Sequence, residues 1–380
     1  MKDYIILFKN HSEYEAYING DDKILPNVSL CGEEDEMHYE PKPIDYSKKY
    51  LTFVALEDGT FTFTPSSSNV ISYSTDNGTT WTEGNSVEVN NGDKVLWKGA
   101  MTPSSDGIGT FGSTAEFDVQ GNAMSLLYGD NFKGQTDLTG KDYALYRLFY
   151  DNPKVVNAKN LSLPATTLAD YCYGIMFYNC TGLTTAPELS STTMARYCYV
   201  SMFKGCTSLT TAPELPAGTL ADCCYEFMFK GCTSLTEAPE LPATTLADNC
   251  YEYMFQGCTS LTTASELSAT TLADYCYNSM FQGCTSLTTA PELPAGTLAQ
   301  QCYSYMFQGC TSLNYIKAVF TTTPGTNYTK SWVDGVAATG TFVKNMNATW
   351  NVSGDSGIPT GWAVELDSFG GDDYGEIDSQ

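Results

Sequence analysis

From residue 136 to 318 the apolar positions recur with a fixed step. Met-Phe stands at 176, 202, 228, 254, 280 and 306, 26 residues apart each time. A step in this range marks stacked repeats, in which each unit buries its apolar side against the next. Within one repeat Leu272, Cys276 and Met280 are four apart, as are Tyr277 and Phe281. That spacing predicts one apolar face of a helix about three turns long. Thr271-x-x-Asp274 supplies a capping box at its start. The box recurs as Thr167/Asp170, Thr219/Asp222 and Thr245/Asp248, becomes Thr297/Gln300, and is lost at Thr193/Arg196. Gly205, Gly231, Gly257, Gly283 and Gly309, with Asn179 in the first copy, suit the left-handed residue that stops a helix. The alternative is a turn-rich convex segment with only a helical turn or two. The rest of the repeat, C-T-S-L-T-T-A-P-E-L-P, reads as a short strand and a turn, with Leu209, Ala212 and Leu215 inward. Pro213 cannot donate to a ladder, so the strand must end or bulge there. Strand, turn and helix in each coil predict an α/β solenoid. A degenerate copy, Leu148-Phe149-Tyr150-Asp151-Asn152, sits 28 residues before the first regular Met-Phe and is expected to cap the stack.

The pattern before the repeats is different. Leu51-Thr-Phe-Val-Ala, Thr60-Phe-Thr-Phe-Thr, Val70-Ile-Ser-Tyr-Ser, Ser86-Val-Glu-Val, Lys94-Val-Leu-Trp-Lys and Ala115-Glu-Phe-Asp-Val are short runs, often alternating, between turn residues. They predict an Ig-like β-sandwich over 45–135. Residues 1–44 form a compact lead: a strand at Tyr4–Phe8, a short helix from Ser12 to Gly20, and a strand from Val28. After the repeats, Tyr315–Phe320 should continue the ladder. The runs at 331–336, 339–344, 348–350 and 357–362 should make a β-rich cap over 319–364. The acidic stretch 365–380 reads as a flexible tail. The expected fold is thus multidomain and β-rich: lead 1–44, sandwich 45–135, α/β solenoid 136–318, cap 319–364 and tail 365–380.

Composition changes this picture mainly through cysteine and charge. Of 14 Cys, 12 fall in two columns of the repeat. One is Cys172, Cys198, Cys224, Cys250, Cys276, Cys302; the other is Cys180, Cys206, Cys232, Cys258, Cys284, Cys310. Cys31 and Cys223 stand outside. Free Cys packs as a small apolar residue, so the columns are expected to be buried, reduced thiols. Disulfides between coils are sterically possible. Zinc would need close-set ligands that the repeats lack. The net charge is −25, from 19 Lys+Arg against 44 Asp+Glu, and Arg occurs only as Arg147 and Arg196. Nucleic acid is therefore an unsuitable partner. There is no run of 18 apolar residues to cross a membrane and no secretion signal in the first residues. Two His, His11 and His38, leave twelve equivalent thiols without a base, so no enzyme, metal or cofactor is expected.

Two surfaces are candidates for binding. Glu188, Glu214, Glu240, Glu266 and Glu292 form one column beside Thr184, Thr210, Thr236, Thr262 and Thr288. They would make either a solvated acidic stripe or a face for cations or glycans. Trp81 and Trp97 could stack on sugars, or be packed in the sandwich. On the other side of the repeat the varying positions are 174–175 and their 26-residue successors, which include Phe227, Tyr253 and Tyr305.

The pattern L-x-x-A-x-x-L-P followed by M-F-x-G-C-T-S-L resembles the BspA-like leucine-rich repeats of gut Bacteroidetes and their phages. The resemblance covers about 148–318, with Met-Phe where that family has Ala-Phe. It implies a binding or display scaffold and no catalytic residue. Ser74-Thr-Asp76-Asn-Gly78-Thr-Thr-Trp81 resembles the Asp-box hairpin, in which Ser and Asp brace the turn and Trp packs beneath. The run F-x-x-H-x-E-Y-E-A-Y-I-N-G with E-M-H-Y resembles an N-terminal segment of Bacteroidetes phage structural proteins. These resemblances imply a virion structural protein, such as a fibre, decoration or tail appendage. Residues 1–44 would attach it to other virion proteins, and the solenoid would meet a host-surface glycan or protein. A homo-oligomer is compatible with this. A bacterial cell-surface adhesin is the alternative.

Overall fold

A computed structural model describes residues 44–367, together with the backbone of two short strands nearer the start. These are β1 (Ile5–Leu7) and β2 (Asn27–Ser29), paired antiparallel. The first falls within the strand expected at Tyr4–Phe8 and the second overlaps the one expected from Val28; the Ser12–Gly20 helix, His11, Cys31 and His38 lie outside the described residues. The chain divides into two compact units, 1–46 and 47–380.

In the second unit the alternating runs become strands. They are β3 (Leu51–Ala55), β4 (Gly59–Pro65), β5 (Ile71–Ser74), β6 (Thr82–Glu83), β7 (Ser86–Val89), β8 (Lys94–Gly99), β9 (Gly109–Ser113) and β10 (Phe117–Asn122). β7-β4-β9 make one antiparallel sheet. A second sheet runs in the order β11-β10-β3-β8-β5-β6, where β11 is Val155–Ser162. Aromatic rings join the two sheets: Phe53 of β3 lies 5.4 Å from Phe61 and 4.7 Å from Phe111, centre to centre. β9 was invisible in the sequence because Gly109 and Gly112 dilute its apolar pattern. The only α-helix among the described residues is one turn, α1 (Ser125–Tyr128).

β11 belongs to the first coil of the repeat region, yet pairs in parallel with β10. One apolar core therefore runs from Leu51 to Trp362. The junction needs Gly121, whose φ is +83° and whose missing Cβ would stand 1.9 Å from the Tyr50 carbonyl oxygen. Only a residue without a side chain fits there.

The repeats contain no helix, which corrects the α/β expectation. Each predicted helix is a chain of tight turns with a left-handed residue at every fourth position. In the first copy these are Tyr171, Ile175 and Asn179, with φ of 57°, 44° and 55°. In the next they are Tyr197, Ser201 and Gly205, at 56°, 52° and 78°. The backbone hydrogen bonds explain why. Tyr173, Ile175, Phe177 and Asn179 donate to the carbonyls of Cys198, Val200, Met202 and Lys204 in the next coil, at 2.8–3.0 Å. The N–H groups between them, on Gly174, Met176, Tyr178 and Cys180, donate three residues back within the coil. A helix would use all its N–H groups internally and leave coil-to-coil contact to side chains. The turn chain satisfies the same groups while joining coil to coil at strand-like spacing. A four-residue turn period also keeps i, i+1, i+4, i+5 and i+8 on one side, so it imitates an amphipathic helix in sequence.

That side is the core. Cys172, Tyr173, Met176, Phe177 and Cys180 are buried, and so are all their successors. The tyrosines Tyr173 to Tyr303 stack at 5.5–5.9 Å. The phenylalanines Phe177 to Phe307 stack at 5.5–5.9 Å. The thirteen described cysteines are free and buried. The second column is also hydrogen-bonded. From Cys180 to Cys310, each thiol donates to a Phe carbonyl of the preceding coil at 3.0–3.1 Å, as Cys232 does to Phe203. Burial pushes these thiols far up from their ordinary range, Cys258 and Cys310 to about 12.

The expected strand of each coil shrinks to single-residue parallel bridges. Examples are Thr185 with Thr211, Thr193 with Thr219 and Leu241 with Leu267. Leu209 and Leu215 point inward and Ala212 is half-buried.

After the repeats come β12 (Tyr315–Ala318), β13 (Thr341–Asn345) and β14 (Ala363–Asp367), a parallel three-stranded sheet. Two corrections apply here. The 331–336 run is not a strand but one more chain of turns: Phe307 donates to the Trp332 carbonyl, and Gly335 (φ +75°) sits against Gly309. Residues 365–367, expected in a flexible tail, complete β14.

Candidate binding surfaces

The strand side of the stack carries the acidic column. Glu188, Glu214, Glu240, Glu266 and Glu292 are all exposed, as are Thr184, Thr210, Thr236, Thr262 and Thr288. The Leu241–Leu267 bridge holds Glu240 and Glu266 in register, one residue before it. Not every threonine hydroxyl is available. Thr184 Oγ1 donates to the Val156 carbonyl (2.9 Å) and Thr262 Oγ1 to that of Thr236 (3.1 Å). At the far end Lys317 pairs with the last glutamate of the column, its Nζ 3.1 Å from Glu292 and 3.3 Å from Asp367. Its register next to Glu292 follows from the Leu293–Ala318 bridge.

The tryptophans do not form a sugar platform together. Trp97 is fully buried, packed on Phe53, Tyr73 and Phe111 at 5.1–5.7 Å, so it presents no face to a ligand. Its place in a central strand between two aromatic-rich sheets decided this. Trp81 is half-buried; the Lys98 ammonium lies 4.1 Å from the centre of its ring, and Tyr50 meets it edge-on at 4.9 Å. The turn before Trp81 is braced from within. Ser74 Oγ donates to Asp76 Oδ1 (2.7 Å) and accepts from Gly78 N (2.9 Å), while Asp76 accepts from Thr80 N and Oγ1. These bonds hold the Asp76 carboxyl down at about 2, the Thr80 hydroxyl contributing most.

The turn side carries the residues that differ between coils. At its start Tyr143, Tyr171 and Tyr197 stack face to face at 4.7 and 4.5 Å. Such rings show edges rather than faces to solvent. Phe227 and Tyr253 stack likewise at 4.7 Å. Beside them Lys204 lies 5.3 Å from the Tyr178 ring centre and 5.0 Å from that of Phe227. Lys230 lies 5.2 Å from Phe227 and 5.4 Å from Tyr253. In later coils the lysine column becomes Gln256, Gln282 and Gln308. Their amides bond one to the next, and Gln308 Nε2 donates to Asp334 at 3.0 Å.

Between these columns run Glu226, half-buried, and Glu252, buried. Burial, and then the charge of Glu252, push Glu226 up to about 7. Burial also raises Glu252, against a hydrogen bond from Asn249. Cys223, next to Tyr197, is pushed to about 12 by burial. The sequence pointed to Phe227, Tyr253 and Tyr305. It gave no hint of the lysine pair or the amide seam, although both follow the same 26-residue step.

Nothing among curated proteins and nothing among solved structures matches the chain. A family model does match, over 152–261 and 201–323, in six copies. The match spans the coils whose buried columns are described above, and this part of the chain is similar to the BspA type leucine rich repeat region.

Proposed function

We propose that this is a non-enzymatic, adhesin-type recognition protein, whose leucine-rich-repeat solenoid displays a variable surface on an invariant frame. One observation carries this reading. Positions facing the core keep Cys, Tyr, Met, Phe, Cys and Leu in all six coils, whereas positions on the turn side change from coil to coil, half-exposed where they are Ile175, Phe227, Tyr253 and Tyr305 and buried where they are Ser201 and Ser279. Position 175 and its successors read Ile, Ser, Phe, Tyr, Ser, Tyr. A frame held constant beneath changing residues serves presentation rather than one chemical step.

The finer reading is a virion structural protein attached through residues 1–44 to other virion proteins, with the solenoid toward a host-surface glycan or protein. It is supported by the resemblance of the lead to phage structural proteins and by the acidic, Arg-poor composition. A bacterial cell-surface adhesin is the competing placement, favoured by the BspA type repeats themselves. Mass spectrometry of purified particles against host outer-membrane fractions decides between them. Recovery only in membranes would sink the virion placement. Binding of the full chain to intact bacteria is the test of recognition itself; no binding to any surface fraction refutes it.

A further inference from the structure

The column two residues before each core Met changes character along the stack. It reads Gly174, Val200, Glu226, Glu252, Asn278 and Ser304. Acids occupy it only in the third and fourth coils, and there they are neighbours. Phe227 N, next in the chain to Glu226, donates to the Glu252 carbonyl at 2.9 Å. The two side chains leave equivalent backbone positions in adjacent coils, so their carboxyls lie one coil apart. Glu252 is 9% exposed and Glu226 is half-buried.

Among the described residues neither carboxyl forms an ion pair with a cation. Lys204, one coil back, acts on Glu226 from further off and favours its ionised form. Lys230 lies over the Phe227 and Tyr253 rings. Asp222, which acts on Cys223, has Arg196 at 3.5 Å. The remaining groups around the pair are neutral. Tyr197 and Cys223 stand beside Glu226, and the Asn249 amide donates to Glu252. Toward the fifth coil come Tyr253, Asn278 and Ser279. Two ionised carboxylates placed there repel with little screening. One bound proton removes that repulsion and turns one carboxyl into a donor toward the other.

We propose that Glu226 and Glu252 share one proton and so form a pH-sensitive latch between the third and fourth coils. With the proton bound the turn side closes; without it the carboxylates push the two coils apart there. Burial and then the Glu252 charge push Glu226 up from 4.5 to about 7, with Cys223 and Lys204 pulling the other way. The folded value is the higher one, so the latch contributes fully below pH 4.5 and its contribution is lost as pH rises through 7. Phe227 and Tyr253, whose rings stack at 4.7 Å, directly follow the two acids. The proton therefore governs a displayed part of the turn face, whatever that face binds.

The test is native-state hydrogen exchange of the full chain from pH 5 to pH 8, read by mass spectrometry and corrected for the intrinsic pH dependence of exchange. The N–H groups of Cys223, Tyr225, Phe227, Phe229 and Gly231 reach from the third coil to the fourth. Their protection should fall by at least about tenfold across that range, since opening releases the proton. Tyr277, Ser279 and Phe281 reach from the fifth coil to the sixth, where the column is Asn278 and Ser304. They should show no such step, which gives a control inside the same molecule. Glu226→Gln should hold the protection at its pH 5 level throughout. Glu252→Gln should move the step to lower pH, because Glu226 then lacks a charged partner. Melting curves at pH 5 establish that both variants fold; if either does not, the comparison of the two coil pairs in the parent still decides. An equal fall in both coil pairs, or a step that survives Glu226→Gln, overturns the latch. A step unmoved by Glu252→Gln overturns the shared proton.

Discussion

Ser201 separates the turn chain from the helix that the sequence suggests. Its φ is 52°, it is 6% exposed, and its N–H donates to the Glu226 carbonyl at 2.8 Å. Replacement by Gly or by Ala removes the same hydroxyl and keeps the same backbone bonds. The two variants therefore differ in how each tolerates the backbone and in one buried methyl group, which favours Ala by under about 1 kcal/mol. In a helix interior Ala is favoured over Gly by about 1 kcal/mol. At a left-handed residue an L side chain costs about 1–2 kcal/mol, which glycine avoids, less what glycine loses by freeing the unfolded chain. Ser201→Gly should thus be at least as stable as Ser201→Ala, where a helix demands the reverse. The gap between the two outcomes is about 2 kcal/mol, well above the error of paired urea titrations. The assay is urea unfolding followed by circular dichroism, in reductant, with equal slopes required of both variants. If Ala proves the more stable, the turn chain is wrong, and with it the account of the coil-to-coil hydrogen bonds.

Gly121→Ala should cost more than about 3 kcal/mol, because its Cβ would meet the Tyr50 carbonyl at 1.9 Å and the main chain must move; a near-normal melting temperature would refute the junction. Cys232→Ala should cost about 1–2 kcal/mol through lost packing and the lost thiol bond to Phe203, and Cys232→Ser should not recover it, since a shorter C–O bond leaves the hydroxyl short of the 3.1 Å contact. The described thiols should react with a thiol reagent only after denaturation, read as release on adding urea. Glu226 is raised from 4.5 to about 7 in the folded chain, so the neutral form is favoured there. Its contribution is fully present below pH 4.5 and is lost as pH rises through 7. Glu226→Gln should therefore match the parent at pH 4 and exceed it by about 1–2 kcal/mol at pH 8, a figure reduced from the full shift because the carboxyl is partly open to solvent. A constant difference across that range would remove the burial argument.

Much of the architecture was legible in periodicity. The step of 26 located the coils, both cysteine columns and the inward leucines, because identical positions in stacked units meet identical surroundings. Alternation located six of the eight sandwich strands, since a half-buried strand must alternate. Short β6 and glycine-diluted β9 had no such signal. Trp97 illustrates the limit: the residue type allowed a ligand platform, and only its position between two sheets made it core.

The sequence by itself determined which residues are buried and how often the pattern returns. It did not determine how the backbone carries them. Residues at i, i+4 and i+8 share a side in a helix and in a chain of four-residue turns alike. The choice rests on where the N–H groups find carbonyls, and half of those carbonyls belong to a coil 25 residues further on, as Cys198 does for Tyr173. That partner exists only once the coils have stacked, so tertiary contact decided the local conformation. It also brought together Glu226 and Glu252, residues far apart in the chain that the return of the backbone makes neighbours.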